Sequence, residues 1–145
     1  MSHSERKPRI LVVDDDEFFT ALVVARLGVE GMQAIQCVSG RQAIDMVEAQ
    51  PLDAVVLDIG MPDVDGYQVL QHIRSTPATA HLPVVVLTGH STLEDVEKGL
   101  AMGANYYLEK PFNGPELVVK LRLCFENGIP SRTVGTEVRG AGIRA

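Results

Sequence analysis

Tryptophan is absent from this 145-residue chain, aromatic residues make up 5% of it, and cysteine occurs only twice. The two cysteines, Cys37 and Cys124, lie far apart with no Cys-x-x-Cys or Cys/His spacing. That excludes a zinc site or a disulfide framework and predicts two buried, reduced thiols. Also missing is any cluster of lysine and arginine, and the formal net charge is -6. Contact with a phosphate backbone needs concentrated positive charge, so no direct nucleic-acid binding is expected of this segment. No apolar run is long enough to cross a bilayer, and the first of them, Ile10 to Val13, follows a polar start unlike a secretory signal. The expectation is a cytoplasmic chain with no membrane contact.

Hydrophobic residues form 46% of the sequence, enough to bury a core in one domain. After Asn127 the composition shifts to glycines and Pro130. The domain is therefore expected to span residues 1–127, with 128–145 a flexible tail or the start of a linker to an output domain.

Three short runs, Ile10–Val13, Ala54–Leu57 and Val84–Leu87, are continuously apolar and mostly β-branched, as in strands buried on both faces of a parallel sheet. Weaker strand candidates are Ala34–Cys37 and Tyr106–Leu108. Helical spacing links Phe18, Leu22, Val23 and Leu27; Ala43, Ile44 and Val47; Val69, Leu70 and Ile73; Val96 and Leu100; and Leu117, Val118 and Leu121. Ser39, Thr92 and Asn113 fit as N-caps, and Gly31 and Gly103 as C-terminal stops. The result is an α/β chain with βα repeated five times, an open parallel sheet covered by helices on both sides. In such sheets functional groups gather beyond the carboxyl ends of the strands, near the switch in strand order.

Polar groups stand at those ends: Asp14, Asp15 and Asp16 after the first strand, Asp58 after the third, Thr88 after the fourth and Lys110 after the fifth. If the first and third strands are neighbours, the carboxylates of Asp14, Asp15 and Asp58 approach within a few ångströms, and joint ionisation is disfavoured unless something positive joins them. A small all-oxygen cluster with positions left for water and phosphate favours Mg²⁺ over Ca²⁺, and Lys110 can add a second positive charge.

Ile-Leu-Val-Val-Asp14-Asp15-Asp16, Asp58-Ile-Gly-Met-Pro-Asp-Val-Asp-Gly66, Leu-Thr88-Gly and Gly-Ala-Asn-Tyr-Tyr107-Leu-Glu-Lys110-Pro-Phe together resemble the response-regulator receiver domains of two-component signalling systems. The likeness covers about residues 8 to 127, and four motifs in this order are far more specific than any one of them. It implies a flavodoxin-like, doubly wound sheet with strand order 2-1-3-4-5. It further implies that Asp58 is the phosphoacceptor, that Asp14, Asp15, Asp58 and the Gly60 carbonyl hold Mg²⁺, and that Lys110 pairs with the phosphoryl group. Thr88 would be the hydroxyl switch, Tyr107 the aromatic switch, and the Lys110–Pro111 peptide bond cis. The phosphoryl donor would be a sensor histidine kinase or a histidine phosphotransfer protein. The chain would act as a switch rather than a turnover enzyme, changing affinity for an output partner or domain near Val96 to Tyr107.

Three features depart from the family pattern. Gly60 and Gly89 leave the pocket open where side chains are common, which bears on phosphoryl lifetime, and Asn105-Tyr106 replaces an Asp-Asp pair that fixes a symmetric dimer in many relatives. A monomer, or a different dimer, is therefore expected before phosphorylation. His90 reads as a solvated loop histidine. A Mg²⁺-dependent aspartyl phosphatase is disfavoured because Asp14-Asp15-Asp16-Glu17-Phe18 lacks that family's continuation and leaves Asp58 idle. A flavin carrier lacks both its phosphate loop and a tryptophan. A degenerate receiver kept only for interaction is disfavoured by the full set of acceptor residues.

Overall fold

The computed structural model describes residues 6–62, 64–89 and 92–126. The elements alternate strictly: β1 (Arg9–Val13), α1 (Glu17–Val29), β2 (Gln33–Cys37), α2 (Gly40–Ala49), β3 (Ala54–Asp58), α3 (Gly66–Ser75), β4 (Val84–Thr88), α4 (Leu93–Ala101), β5 (Tyr106–Glu109) and α5 (Gly114–Glu126). All five strands are parallel, in the order β2-β1-β3-β4-β5. Each expected strand is present, lengthened by a residue at one end or the other. The tail from 128 and His90 lie outside the described residues.

The continuous apolar runs are explained by the two-layer core. Ile10, Val12, Ala54, Val56, Val85, Leu87 and Leu108 face α1 and α5, while Leu11, Val13, Val55, Leu57, Val84 and Val86 face α2 and α3. Because successive strand residues alternate faces, a strand covered on both sides has no solvent side to leave polar. Both cysteines are free and buried within these layers, and burial pushes the Cys124 thiol up to about 12.

Caps fall where expected: the Ser39 and Thr92 side chains accept from Gln42 N and Asp95 N, and Asn113 Oδ1 accepts from Glu116 N. Gly31 and Gly103, at φ 89° and 105°, turn the chain after α1 and α4 in the left-handed conformation that favours glycine. Two expectations need correction: Leu100, spaced with Val96 on α4, is 48% exposed while Gly99 is the buried residue of that helix, and the face of α1 differs from its spacing. Phe18 and Leu22 share the helical spacing of Val23 and Leu27, yet they are 74% and 54% exposed. The sequence of α1 is apolar nearly all round, so spacing alone does not select its inner face. The buried stripe is Thr20, Val23 and Leu27, supported by Phe19 and Val24.

Candidate functional site

The order of the sheet reverses at β1, which has β2 on one side and β3 on the other. β1 and β3 run in register from Ile10 opposite Ala54 to Val13 opposite Leu57. One step further, the chain delivers Asp14 beside Asp58. The Asp14 amide donates to the Cys37 carbonyl at 3.0 Å, the Ile59 amide to the Leu87 carbonyl at 3.1 Å, and the Lys110 amide to the Thr88 carbonyl at 2.8 Å. These backbone bonds continue the sheet past its last strand residues and hold the groups in place.

The acid run after β1 divides into three jobs. Asp14 is 1% exposed; its Oδ1 accepts from the Asp16 amide at 3.0 Å and its Oδ2 from Lys110 Nζ at 2.7 Å. Asp15 is exposed, but a carboxylate oxygen of Asp14, Asp15 and Asp58 can each lie within 4.8 Å of the others. Asp16 turns away and caps α1, accepting from Phe19 N. Four residues expected to carry chemistry, Asp14, Asp15, Asp58 and Lys110, are thus brought together, with Lys110 Nζ 4.0 Å from Asp58 Oδ2. The Lys110–Pro111 peptide bond is cis, as expected.

Asp58 is 7% exposed, and burial, followed by the negative charge of Asp14, raises its carboxyl above the ordinary value. The Gly60 amide, donating to Asp58 Oδ1 at 3.2 Å, and the Lys110 ammonium oppose that shift. Three carboxylates against one ammonium leave the cluster short of positive charge. An all-oxygen donor set of this kind fits a hard divalent cation. A cleft of about 420 Å³ opens over Asp58, lined by Ile59, Gly60, Thr88, Gly89, Asp95 and Lys110. The larger hollow, about 550 Å³ between the end of α2 and the segment leading into β4, contains neither the acid cluster nor the lysine.

Thr88 is buried at the end of β4, and Tyr107 pairs with Val86 on β5. Val86 and Thr88, two residues apart, point to the same face of the sheet as Tyr107. The Tyr107 hydroxyl donates to the Asp95 carbonyl at 2.7 Å, which ties β5 to the first turn of α4. Burial, and then the hydrogen bond with Tyr67, raises its phenol above the usual range.

Several structural residues lie outside the expectations drawn from the sequence. Asp65 and Gln68 form a capping box at the start of α3, and Gly66 follows it. A β-carbon on Gly66 would stand 2.4 Å from Ile59 Cα and 2.5 Å from the Asp58 carbonyl oxygen, so α3 approaches the acceptor strand closely only because that side chain is missing. The Asp65/Gln68 pair was visible as a capping pattern, whereas the contact of Gly66 becomes visible only once β3 and α3 are placed. Asn105 accepts through Oδ1 from Arg74 Nη2 at 3.0 Å and from Val84 N at 2.8 Å, so its amide oxygen is occupied within the fold.

Comparison with known proteins agrees with this geometry. The family described as the response regulator receiver domain matches residues 10–122. The DNA-binding dual master transcriptional regulator RpaA of Synechocystis is 35% identical over 138 residues, 93% of this chain and 57% of RpaA. CpxR, a transcriptional regulatory protein of Escherichia coli, is 40% identical over 114 residues, 79% of this chain and 47% of CpxR. The chain thus spans about half the length of these relatives. Among solved structures, the chemotaxis response regulator CheY4 of Vibrio cholerae superposes with a TM-score of 0.78 at 26% identity, covering 82% of this chain and 99% of CheY4. The receiver domain of the Francisella response regulator 1452 superposes with a TM-score of 0.79, also at 26% identity, covering 83% and 98%.

Proposed function

Because this chain belongs to the response-regulator receiver domain family, whose members are signalling switches, we propose that Asp58 is its phosphoacceptor and Mg²⁺ its cofactor. The observation that carries the reading is the buried Asp58 carboxylate, at the end of a central strand and open to a cleft that it shares with Thr88 and Lys110. An Asp58 oxygen attacks the phosphorus of a phosphohistidine on a sensor histidine kinase or a histidine phosphotransfer protein. The new P–O bond forms as the P–N bond breaks, and the imidazole departs and takes up a proton.

Asp14, Asp15, Asp58 and the Gly60 carbonyl would hold the cation, which when bound neutralises the carboxylates and the transferring oxygens. Lys110, held by Asp14, is close enough to turn to the phosphoryl group. The Thr88 hydroxyl then moves toward the new charge, and Tyr107 follows it, shifting a population between two arrangements of α4 and β5.

In this reading the chain removes only its own phosphoryl group and turns over no separate substrate. RpaA is a DNA-binding regulator by name; the net charge of -6 supports the reading that any such output of this protein is carried by another domain or partner. A cytoplasmic location follows from the kinase partner proposed.

Incubation with an acyl phosphate and Mg²⁺, followed by mass spectrometry, tests the assignment. One phosphoryl group should appear on Asp58 and should be lost in EDTA and in Asp15→Ala. Equal acyl-phosphate formation in Asp58→Ala would overturn it.

A further inference from the structure

Two phenols reach for one backbone carbonyl. The Tyr107 hydroxyl lies 2.7 Å from the Asp95 oxygen, the Tyr67 hydroxyl lies 3.4 Å from the same oxygen, and the two hydroxyls are 3.2 Å apart. Each phenol has a single proton to donate. With Tyr107 donating to the short contact, Tyr67 donates best to the Tyr107 oxygen. The resulting chain runs from Tyr67 through Tyr107 to Asp95 and ties the first turn of α3 to β5 and to the first turn of α4. A second tie joins α3 to α4, because Lys98 Nζ sits 4.2 Å from the centroid of the Tyr67 ring.

Gly99 explains how the Tyr107 ring fits against α4. A β-carbon there would stand 2.2 Å from Tyr107 Cε1 and 2.6 Å from its hydroxyl oxygen. Distances that short are not tolerated, so an alanine at this position and the observed place of the ring exclude each other. Gly99 lies inside α4 with no unusual backbone angle, in a position where glycine costs about 1 kcal/mol relative to alanine. Its use there is the room it leaves.

We propose that Gly99 and Tyr67 are positioning residues of the switch: Gly99 is the notch that admits the Tyr107 ring, and Tyr67 is the phenol that holds it there and carries its state to α3. The surface altered by chemistry at Asp58 therefore includes the first turn of α3 as well as α4 and β5. The proposal rests on the reading of Tyr107 as the aromatic switch.

The chain has three tyrosines, Tyr67, Tyr106 and Tyr107, so uniform 3-fluorotyrosine labelling gives a fluorine spectrum that single Tyr→Phe variants assign. Spectra of the full chain are recorded with and without beryllofluoride and Mg²⁺, together with amide shifts of residues 66–70. In the wild type, the Tyr67 and Tyr107 fluorines and the α3 amides should respond together. In Tyr67→Phe, the inward-to-outward ratio of Tyr107 should fall about fivefold, the worth of one net hydrogen bond, and the α3 amides should stop responding. In Gly99→Ala, the Tyr107 fluorine should sit at its solvent-exposed position with and without the mimic.

A Tyr67→Phe variant whose Tyr107 fluorine and α3 amides respond as in the wild type overturns the proposal and leaves the switch reading standing. A wild-type Tyr107 that ignores the mimic overturns both. Tyr67→Phe keeps the ring, so the decision does not depend on whether Gly99→Ala folds.

Discussion

Lys110 is bonded to Asp14, not to Asp58: its ammonium is 2.7 Å from Asp14 Oδ2 and 4.0 Å from Asp58 Oδ2. The lysine is thus parked on the most deeply buried carboxylate of the cluster, whose other donor among the described residues is the Asp16 amide. Lys110→Met should cost roughly 1–3 kcal/mol of stability, the penalty for a buried charged acceptor losing its strongest partner. Mg²⁺ should restore part of that loss, because it supplies positive charge to the same oxygens. Urea unfolding in EDTA and in Mg²⁺ measures both effects; an unchanged midpoint in EDTA would contradict this account.

Asp58 gives a pH dependence of definite sign. Its carboxyl is raised by burial and by Asp14, so the folded protein keeps a proton that the unfolded chain has already released. Its contribution to stability is therefore most favourable below the ordinary carboxylate range and declines as pH rises through the raised value. Asp58→Asn should stabilise the metal-free protein at pH 7 by on the order of 1 kcal/mol, the scale of one relieved charge contact in a partly solvated site. The gain should shrink toward pH 4, as the wild-type carboxyl takes up its proton on the way down through its raised value. Denaturant melts at the two pH values check this, and an equal difference at both would refute it.

The sheet and the acid cluster were legible in the sequence because they follow from short-range rules. Strands buried on both faces must be apolar throughout, as Val84 to Leu87 is, and polar groups that follow such strands directly have to emerge at one end of the sheet. What stayed hidden depends on contacts between elements. The spacing of Phe18 and Leu22 was as good as that of Val23 and Leu27, and only the angle at which α1 lies on the sheet separates them. Likewise, the division of labour between Asp14, Asp15 and Asp16 is decided by where Lys110 arrives and where α1 begins. Gly66 and Gly99 read as unremarkable helix residues until the Ile59 backbone and the Tyr107 ring are placed against them.

Gly66 gives a sharp test of that packing. Since a β-carbon would meet both Ile59 Cα and the Asp58 carbonyl oxygen, neither of which belongs to a flexible side chain, Gly66→Ala should force β3 and α3 apart. The expected cost is about 1–3 kcal/mol, as for other overpacked sites. Displacement of Asp58 should also slow phosphorylation by an acyl phosphate more than tenfold in the fraction that remains folded. Normal phosphorylation kinetics in a destabilised Gly66→Ala would separate packing from acceptor geometry and defeat the second half of the prediction.

The open cleft bears on how long the signal lasts. A β-carbon on Gly60 would lie 3.7 Å from Asp58 Oδ1, and one on Gly89 would meet nothing within 4 Å. Neither position carries a side chain that covers the cleft over the acceptor. A larger side chain, as in Gly60→Met, should shield the aspartyl phosphate and lengthen its half-life severalfold, measured by the loss of radiolabelled phosphate after the donor is removed. A half-life unchanged by the substitution would show that access of water at this point is not limiting.

Thr88→Ala tests whether the acceptor and the partner surface are coupled. Thr88 ends β4, Tyr107 shares its face of the sheet, and Asp95 joins Tyr107 to α4. A ligand can move such an equilibrium only by binding one state better than the other, and a coupling of roughly 1–3 kcal/mol would be ordinary. In the wild type, beryllofluoride with Mg²⁺ should therefore change partner affinity by about 5- to 150-fold through the surface near Val96 to Tyr107. Thr88→Ala keeps Asp14, Asp15, Asp58 and Lys110, so the mimic should still bind, but the hydroxyl that answers the new charge is gone. The change in affinity should then fall to near unity while the Asp58 signals shift as before. Titration of the partner against both proteins, alone and with the mimic, gives the coupling as a ratio of ratios. If Thr88→Ala transmits the same factor as the wild type, the path from Asp58 to Tyr107 does not pass through the Thr88 hydroxyl, even with Asp58 as the acceptor.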